Sequence, residues 1–337
     1  MSTMTLPDAP EIPGLVFRPF AGPSDFPGMV AVFEASRGVD RFDWVITVDD
    51  VRREFDHLHN CDPYQDMLVA EIDGQMIAYS RVWWHQETDG DRIYTFLGLL
   101  VPEWRRRGIG RAMIRHGESR LREIAGGHPA GVSKYLQRGV VDSEVGLEAL
   151  LQNDGYKAIR YGFSMVRPIS EPCPHAPMPP GLDVRPVREG QARAIIAASD
   201  EAFRDHWGHH PLAENDVQHW MADPIFDPDL WVVAWDGNEI AGGVLGYVDR
   251  AENEQYDRKR GYTEDIWVRR PWRRRGLARS LLVQSIQMFA GMGMEETALG
   301  VDVQNPHGSL RLYESVGYRV DRRHTVYRKP LVLKERG

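Results

Sequence analysis

The chain has 337 residues, a formal net charge of −8 and the apolar and aromatic content of an ordinary globular protein. That length suits two domains better than one, and the acidic balance argues against nucleic acid as the main partner, because phosphate backbones select basic faces. Cys61 and Cys173 lie far apart without metal-ligand spacing, so neither a disulfide framework nor a metal site is expected. Met1 to Phe20 lacks the basic stretch and apolar core of a signal peptide. No run of about 18 apolar residues is long enough to cross a membrane. The expectation is a cytoplasmic protein with no membrane partner.

In chain order, an opening strand at Leu15–Arg18 leads to helical segments and then to a hairpin turning at Asp73-Gly74. A fourth strand follows at Ile93–Val101. Next comes a helix that starts after a glycine, with Ile109, Met113, Leu121 and Ile124 along one face. The same order then returns. Gly14-Leu15-Val16-Phe17-Arg18-Pro19 reappears as Gly181-Leu182-Asp183-Val184-Arg185-Pro186, with its strand at Asp183–Arg185. The hairpin turn reappears at Asp236-Gly237, and the fourth strand at Tyr262–Val268. The helix reappears with Leu277, Leu281, Ile286 and Phe289. A fifth strand, Thr297–Val303, and a helix, Gly308–Ser315, close the second copy. The strongest echo is Tyr94-Thr95 with Trp104-Arg105-Arg106-Arg107-Gly108, repeated without a gap as Tyr262-Thr263 with Trp272-Arg273-Arg274-Arg275-Gly276. Duplication of one fold explains this, and the element order fits a mixed α/β sheet covered by helices. Pro168, Pro172, Pro174, Pro177, Pro179 and Pro180 stand between the copies. They forbid a helix or a central strand there, so the expected division is residues 14–168, a semi-rigid linker at 169–180, and 181–331.

The element that carries chemistry is strand, basic turn, glycine, helix. In the first copy it is Arg105-Arg106-Arg107-Gly108-Ile109-Gly110, and in the second Arg273-Arg274-Arg275-Gly276-Leu277-Ala278. A helix N-terminus offers unpaired N–H groups and partial positive charge. The glycine lets backbone approach a phosphate, the small residue two places on keeps that approach open, and arginines add forked donors. A pyrophosphate fits such a cradle. A solvated basic turn or a nucleic-acid patch is the competing reading, but the glycine spacing and the strand-helix context recur twice.

These loops resemble the Arg/Gln-x-x-Gly-x-Gly/Ala signature of the GNAT superfamily of N-acetyltransferases, which binds the pyrophosphate of coenzyme A. The resemblance covers nearly the whole chain as two copies, and the second copy also carries Val301-Asp302-Val303-Gln304-Asn305-Pro306, Leu310-Arg311-Leu312-Tyr313-Glu314 and Gly317-Tyr318. It implies two tandem GNAT domains, each a mixed, mostly antiparallel sheet flanked by helices. The implied activity is transfer of acetyl from acetyl-CoA to a small-molecule primary amine, without a metal. The C-terminal half is also similar to mycothiol synthase, a tandem member, with Phe226-Asp227-Pro228 and the Leu310–Tyr313 helix carrying the likeness. A catalytically silent CoA-binding sensor and a protein N-acetyltransferase are the alternatives.

Residue by residue, the resemblance makes Tyr313 the general acid for the departing thiolate. Glu264 is the candidate base, although many relatives carry that glutamate at the position of Tyr262. By strand alternation Asp265 is expected to point the other way. A backbone amide near Trp267, Val268 and Arg269 polarises the thioester, Asn305 holds the pantetheine arm, and Arg273, Arg274, Arg275, Gly276, Leu277 and Ala278 hold the phosphates. In the first copy Arg105, Arg107, Gly108 and Gly110 keep the cradle. There Phe96 stands for Glu264, Leu151 for Tyr313, and Val141-Asp142-Ser143 for the Asn305 region, so that copy is expected to be non-catalytic. His206, His209 and His210 cluster without a strong metal pattern and are expected in a loop bordering the acceptor cleft. Trp83, Trp84 and Trp231 are expected to pack in strands.

Overall fold

The computed structural model describes residues 3–305 and 307–333. The chain forms two compact units, one of Met1–Ile159 with Thr325–Gly337 and one of Arg160–His324. In the first unit β1 (Leu15–Pro19) precedes α1 (Phe26–Asp40), α2 (Val48–Asp56) and α3 (Pro63–Asp66). There follow β2 (Met67–Ile72), β3 (Gln75–Gln86), β4 (Arg92–Leu100), α4 (Ile109–Gly126), β5 (Lys134–Val141) and α5 (Val145–Asn153). β6 (Lys157–Pro168) leads into the second unit. That unit continues with β7 (Asp183–Arg185), α6 (Ala192–Phe203), α7 (Glu214–Ala222), β8 (Trp231–Asp236), β9 (Glu239–Tyr247) and α8 (Arg250–Gln255). Next come β10 (Arg260–Val268), α9 (Leu277–Gly291), β11 (Glu296–Asp302), α10 (Ser309–Ser315) and β12 (Arg319–Pro330).

The first unit's strands run in the order β1-β2-β3-β4-β5, ending on β12, and the second unit's run β12-β6-β11-β10-β9-β8-β7. Within β1 to β5, and from β6 through β11 to β7, pairing is antiparallel except for β4 with β5 and β10 with β11. This is the expected mixed, mostly antiparallel sheet flanked by helices.

The expected boundaries at 168/169 and 180/181 differ from the compact units. Residues 162–168 of β6 pair with β11 from Gly162↔Asp302 to Pro168↔Glu296. The fully buried Arg167 on β6 donates to the carbonyls of Val316, Pro168 and Glu171 at 2.7, 2.8 and 2.6 Å. The proline-rich segment contains no helix or strand, as its prolines dictate. It is nonetheless packed onto the second unit through Cys173, Ala176 and Met178. Residues 325–333 return to the first unit. There Tyr327 is 2% exposed, Arg328 pairs with buried Glu87, and Lys329 donates to Glu118 at 2.9 Å.

Cores form where the helices cover the sheets. In the first unit Ile109, Met113 and Leu121 of α4 pack with Tyr94, Phe96 and Leu136. In the second, Leu282, Val283 and Ile286 of α9 pack with Leu299, Tyr313 and Tyr318. Trp231 is buried in β8 as expected.

Candidate active site

The parallel ladder between β10 and β11 is short, with partners only at Arg260↔Glu296, Gly261↔Thr297 and Tyr262↔Ala298. Buried Tyr318 clamps this closed end. Its hydroxyl lies 2.7 Å from Thr263 Oγ1 on β10 and 2.8 Å from Thr297 Oγ1 on β11. Beyond Tyr262 the strands part, and the β11-facing edge of β10 is left without a strand partner. Across that gap Glu264 accepts the N–H of Gly300 at 2.8 Å.

β10 is also irregular on its other side. Against β9 its register runs Glu264↔Leu245 and then Trp267↔Gly243, so one extra residue is inserted. Asp265 sits in that bulge with φ +44°, a left-handed conformation. The close approach requires glycines on β9: a Cβ on Gly242 would lie 2.7 Å from the Trp267 carbonyl oxygen. The bulge interrupts strand alternation at Asp265. Asp265 keeps an exposed surface, and its charge reaches the Tyr313 hydroxyl electrostatically.

Glu264 is partly exposed. Burial and then the neighbouring Asp265 push its carboxyl up to about 8, against the pull of the Gly300 N–H. Desolvation by the protein packed around it raises the Asp265 carboxyl to about 6, although the residue keeps an exposed surface. Tyr313, on α10 and 6% exposed, is hydrogen-bonded to Ser309. Burial and the Glu264 charge hold its hydroxyl above the ordinary tyrosine range. Tyr262 faces another network: it donates to Glu252 at 2.6 Å, and its ring stacks on Tyr247 at 4.6 Å.

Beyond the bulge Arg269 N–H is used by the Ala241 carbonyl on β9 at 3.0 Å. Strand alternation therefore places the Val268 amide on the opposite edge, facing the cleft. Trp267 contributes no side chain to the cleft, being 3% exposed and packed against Gly243.

The two cradles match in conformation. Gly108 (φ +92°) and Gly276 (φ +83°) are N-caps of α4 and α9 without a side-chain capping bond. Arg106 and Arg274 are left-handed at φ +63° and +62°. No atom lies within 4 Å of where a Cβ on Gly276 would be, so the cradle is open. Leu277 is buried and offers only its backbone, with Ala278 behind it. Arg274 and Arg275 are exposed and make no hydrogen bond or ion pair among the described residues.

The first arginine of each triplet braces the loop onto the end of the preceding strand. Arg273 Nε donates to Val268 O at 2.9 Å, and its other nitrogens reach Ala202 O at 2.9 Å and Asp205 at 3.2 Å. Hydrogen bonds from Arg270 and Arg273 hold Asp205 down at about 2. Arg105 repeats the brace on Leu100 O at 2.9 Å and Asp40 at 2.7 and 2.6 Å. Arg107 lies over the Trp104 ring. Asn305 Oδ1 accepts His307 N–H at 2.8 Å, so this side chain shapes the turn before α10. The histidines follow α6 and diverge: His209 pairs with Asp200 at 2.9 Å, and His206 lies against Phe203.

The first unit differs at the corresponding positions. β4 pairs with β3 without a register slip from Arg92 to Leu100. Phe96 and Leu151 are buried in its core. A cavity of about 670 Å³ nevertheless opens there, between Phe96, Gly98, Arg105, Gly108, Met113 and Leu150.

Comparison with known proteins bears on the same two regions. The profile of the acetyltransferase (GNAT) family matches residues 31–135 and 192–318. The chain belongs to the GNAT family. Mycothiol acetyltransferase from Geodermatophilus obscurus is 28% identical over 265 residues, covering 78% of this chain and 80% of that one. The one from Streptomyces bingchenggensis is 27% identical over 272 residues, covering 78% and 80%. The crystal structure of a GCN5-related N-acetyltransferase from Sphaerobacter thermophilus superposes with a TM-score of 0.72 at 25% identity, covering 97% of both chains. A tandem GNAT protein from the clavulanic acid pathway has the same fold, with a TM-score of 0.67 at 13% identity over 95% of this chain and 100% of that one. No helix among the described residues of this GNAT chain is long and apolar enough to cross a membrane.

Sequence reasoning gave no sign of the Gly300 amide or of the carboxylates Asp40 and Asp205 that hold the first arginines.

Proposed function

We propose that this GNAT protein transfers acetyl from acetyl-CoA to a small-molecule primary amine, and that the chemistry lies in the second unit. One observation carries this reading. Glu264 bridges the gap where β10 leaves β11 and its charge acts on the Tyr313 hydroxyl, whereas the first unit has apolar Phe96 and Leu151 in their places.

The phosphates rest on the α9 N-terminus, against the amides after Gly276 and the side chains of Arg274 and Arg275. Arg273 braces the loop onto the end of β10, and so fixes the cradle relative to the Val268 amide. That amide holds the thioester oxygen as negative charge develops on it. Glu264 takes a proton from the acceptor ammonium, directly or through water. Its raised value of about 8 suits a base working near neutral pH. The amine nitrogen bonds to the carbonyl carbon and the C–S bond breaks. Tyr313, held in its neutral form, protonates the leaving thiolate. The small-amine class is also supported by the relatives named mycothiol acetyltransferase.

The first unit's cavity, lined by Arg105, Arg106, Gly108 and Gly110, supports a second, non-catalytic CoA site. Calorimetric titration of acetyl-CoA, followed by a thiol-release assay over amino acids, amino sugars, polyamines and aralkylamines, tests both points. Binding and thiol release are expected. Folded protein that binds no acetyl-CoA contradicts the reading, and a stoichiometry of one removes the second site.

A further inference from the structure

In the first unit β4 and β5 part after Thr95↔Gln137, and the next residue on β5 is Arg138. Counted from the matching pairs Tyr94↔Leu136 and Tyr262↔Ala298, Arg138 is the counterpart of Gly300. The second unit thus has a glycine across its gap from Glu264, whereas the first has a guanidinium across its gap from Phe96.

That guanidinium is buried and poorly paired. Arg138 is 9% exposed. Its Nη1 lies 3.5 Å from the Phe96 carbonyl oxygen, the outer limit of a hydrogen bond. Its Nη2 lies 3.9 Å from Glu144, beyond that limit, and Nε has no hydrogen-bond partner. Other buried arginines of this chain are well supplied. Arg167 holds its three carbonyls at 2.6 to 2.8 Å, and Arg18 holds Asp25 and Glu71 at 2.6 to 2.8 Å. Glu144 does not make up the deficit. Its Oε2 accepts the Val141 N–H at 2.9 Å, and burial pushes its carboxyl up. A buried cation short of acceptors is costly until something supplies them.

The surroundings of Arg138 say what could. Phe96 and Glu144, the two residues it approaches, both line the cavity of about 670 Å³. Arg106 and Gly108 of the cradle line the same cavity. A coenzyme with its pyrophosphate on that cradle would direct its thioester toward the gap between β4 and β5, where Arg138 stands. We propose that the first unit takes an acyl-CoA whose acyl group ends in a carboxylate, and that this carboxylate pairs with Arg138. A guanidinium fork offers a carboxylate two parallel N–H donors, whereas a neutral acyl tail leaves those donors unused. This inference rests on the reading of the first unit's cavity as a second CoA site.

The test is calorimetric titration of the full chain carrying Arg274→Glu and Arg275→Glu, two exposed changes that disable the second unit's cradle. Malonyl-CoA and succinyl-CoA are compared with propionyl-CoA and butyryl-CoA, their neutral counterparts of equal carbon number. A carboxylated ester is expected to bind about 10-fold more tightly than its neutral counterpart. Adding Arg138→Met is expected to abolish that difference and leave the neutral esters within about threefold, with thermal melting as the check on folding. Equal affinities within both pairs while Arg138 is intact overturn the proposal, and this comparison does not depend on how the Met variant folds. A preference that survives in folded Arg138→Met overturns it too. Folded protein that binds none of these esters, nor acetyl-CoA, removes the second site and this inference with it; binding without preference removes the inference alone.

Discussion

Glu264 accepts the backbone N–H of Gly300 at 2.8 Å across the gap where β10 and β11 separate. The contact ties the candidate base to the strand opposite and leaves its second oxygen free for chemistry. A carboxylate in that position carries a consequence for stability.

The folded chain holds the Glu264 proton up to about 8, against an ordinary value of 4.5. Between those values the folded form keeps a proton that the unfolded chain has released. The stabilisation is complete below pH 4.5 and is lost as pH rises through 8. The melting temperature of the second unit should fall across this range. Glu264→Gln should flatten the upper part, from pH 6 to 8, and leave the slope below 6 to Asp265. Differential scanning fluorimetry in a buffer series measures this; an unaltered slope in the variant contradicts the assignment.

Tyr313→Phe removes the hydroxyl and its Ser309 bond while keeping the ring in the core beside Tyr318. The expected result is a kcat about 10²-fold lower with a melting temperature close to wild type. Because its hydroxyl stays protonated well above the ordinary tyrosine range, the rate of the wild type should show no alkaline loss from Tyr313 below pH 10.

The strand exchange predicts which fragments fold. Arg160–His324 should melt cooperatively on its own, whereas residues 181–331 should not. The shorter piece lacks the β6 strand against β11, and with it buried Arg167. In the first unit, Arg328→Met should cost about 3–5 kcal/mol, because it leaves buried Glu87 without its cation. Denaturant melts of the four proteins decide the matter.

Much of this was legible from residues alone. The duplicated order of elements, the two cradles and the apolar replacements Phe96 and Leu151 could be read by spacing and comparison of the two copies. The final strands could not. β6 and β12 are broken by arginines, as at Arg160, Arg322 and Arg323, and nothing local says which sheet a strand joins. The bulge was hidden because alternation assumes an even ladder, and the glycines that permit the inserted residue lie on a different strand, at Gly242 and Gly243. The arginine triplets were read as equal phosphate donors; the carboxylates and carbonyls that claim Arg105 and Arg273 come from distant elements.

The central claim is that acetyl transfer takes place in the second unit. It is tested most directly by the acetylation rate of Gly276→Glu, in which a carboxylate enters the open cradle at a position that is left-handed in the native fold. The account predicts that acetyl-CoA-dependent thiol release falls to background in the folded variant. Acetylation at the wild-type rate would contradict it and move the chemistry to the unit that carries Phe96 and Leu151.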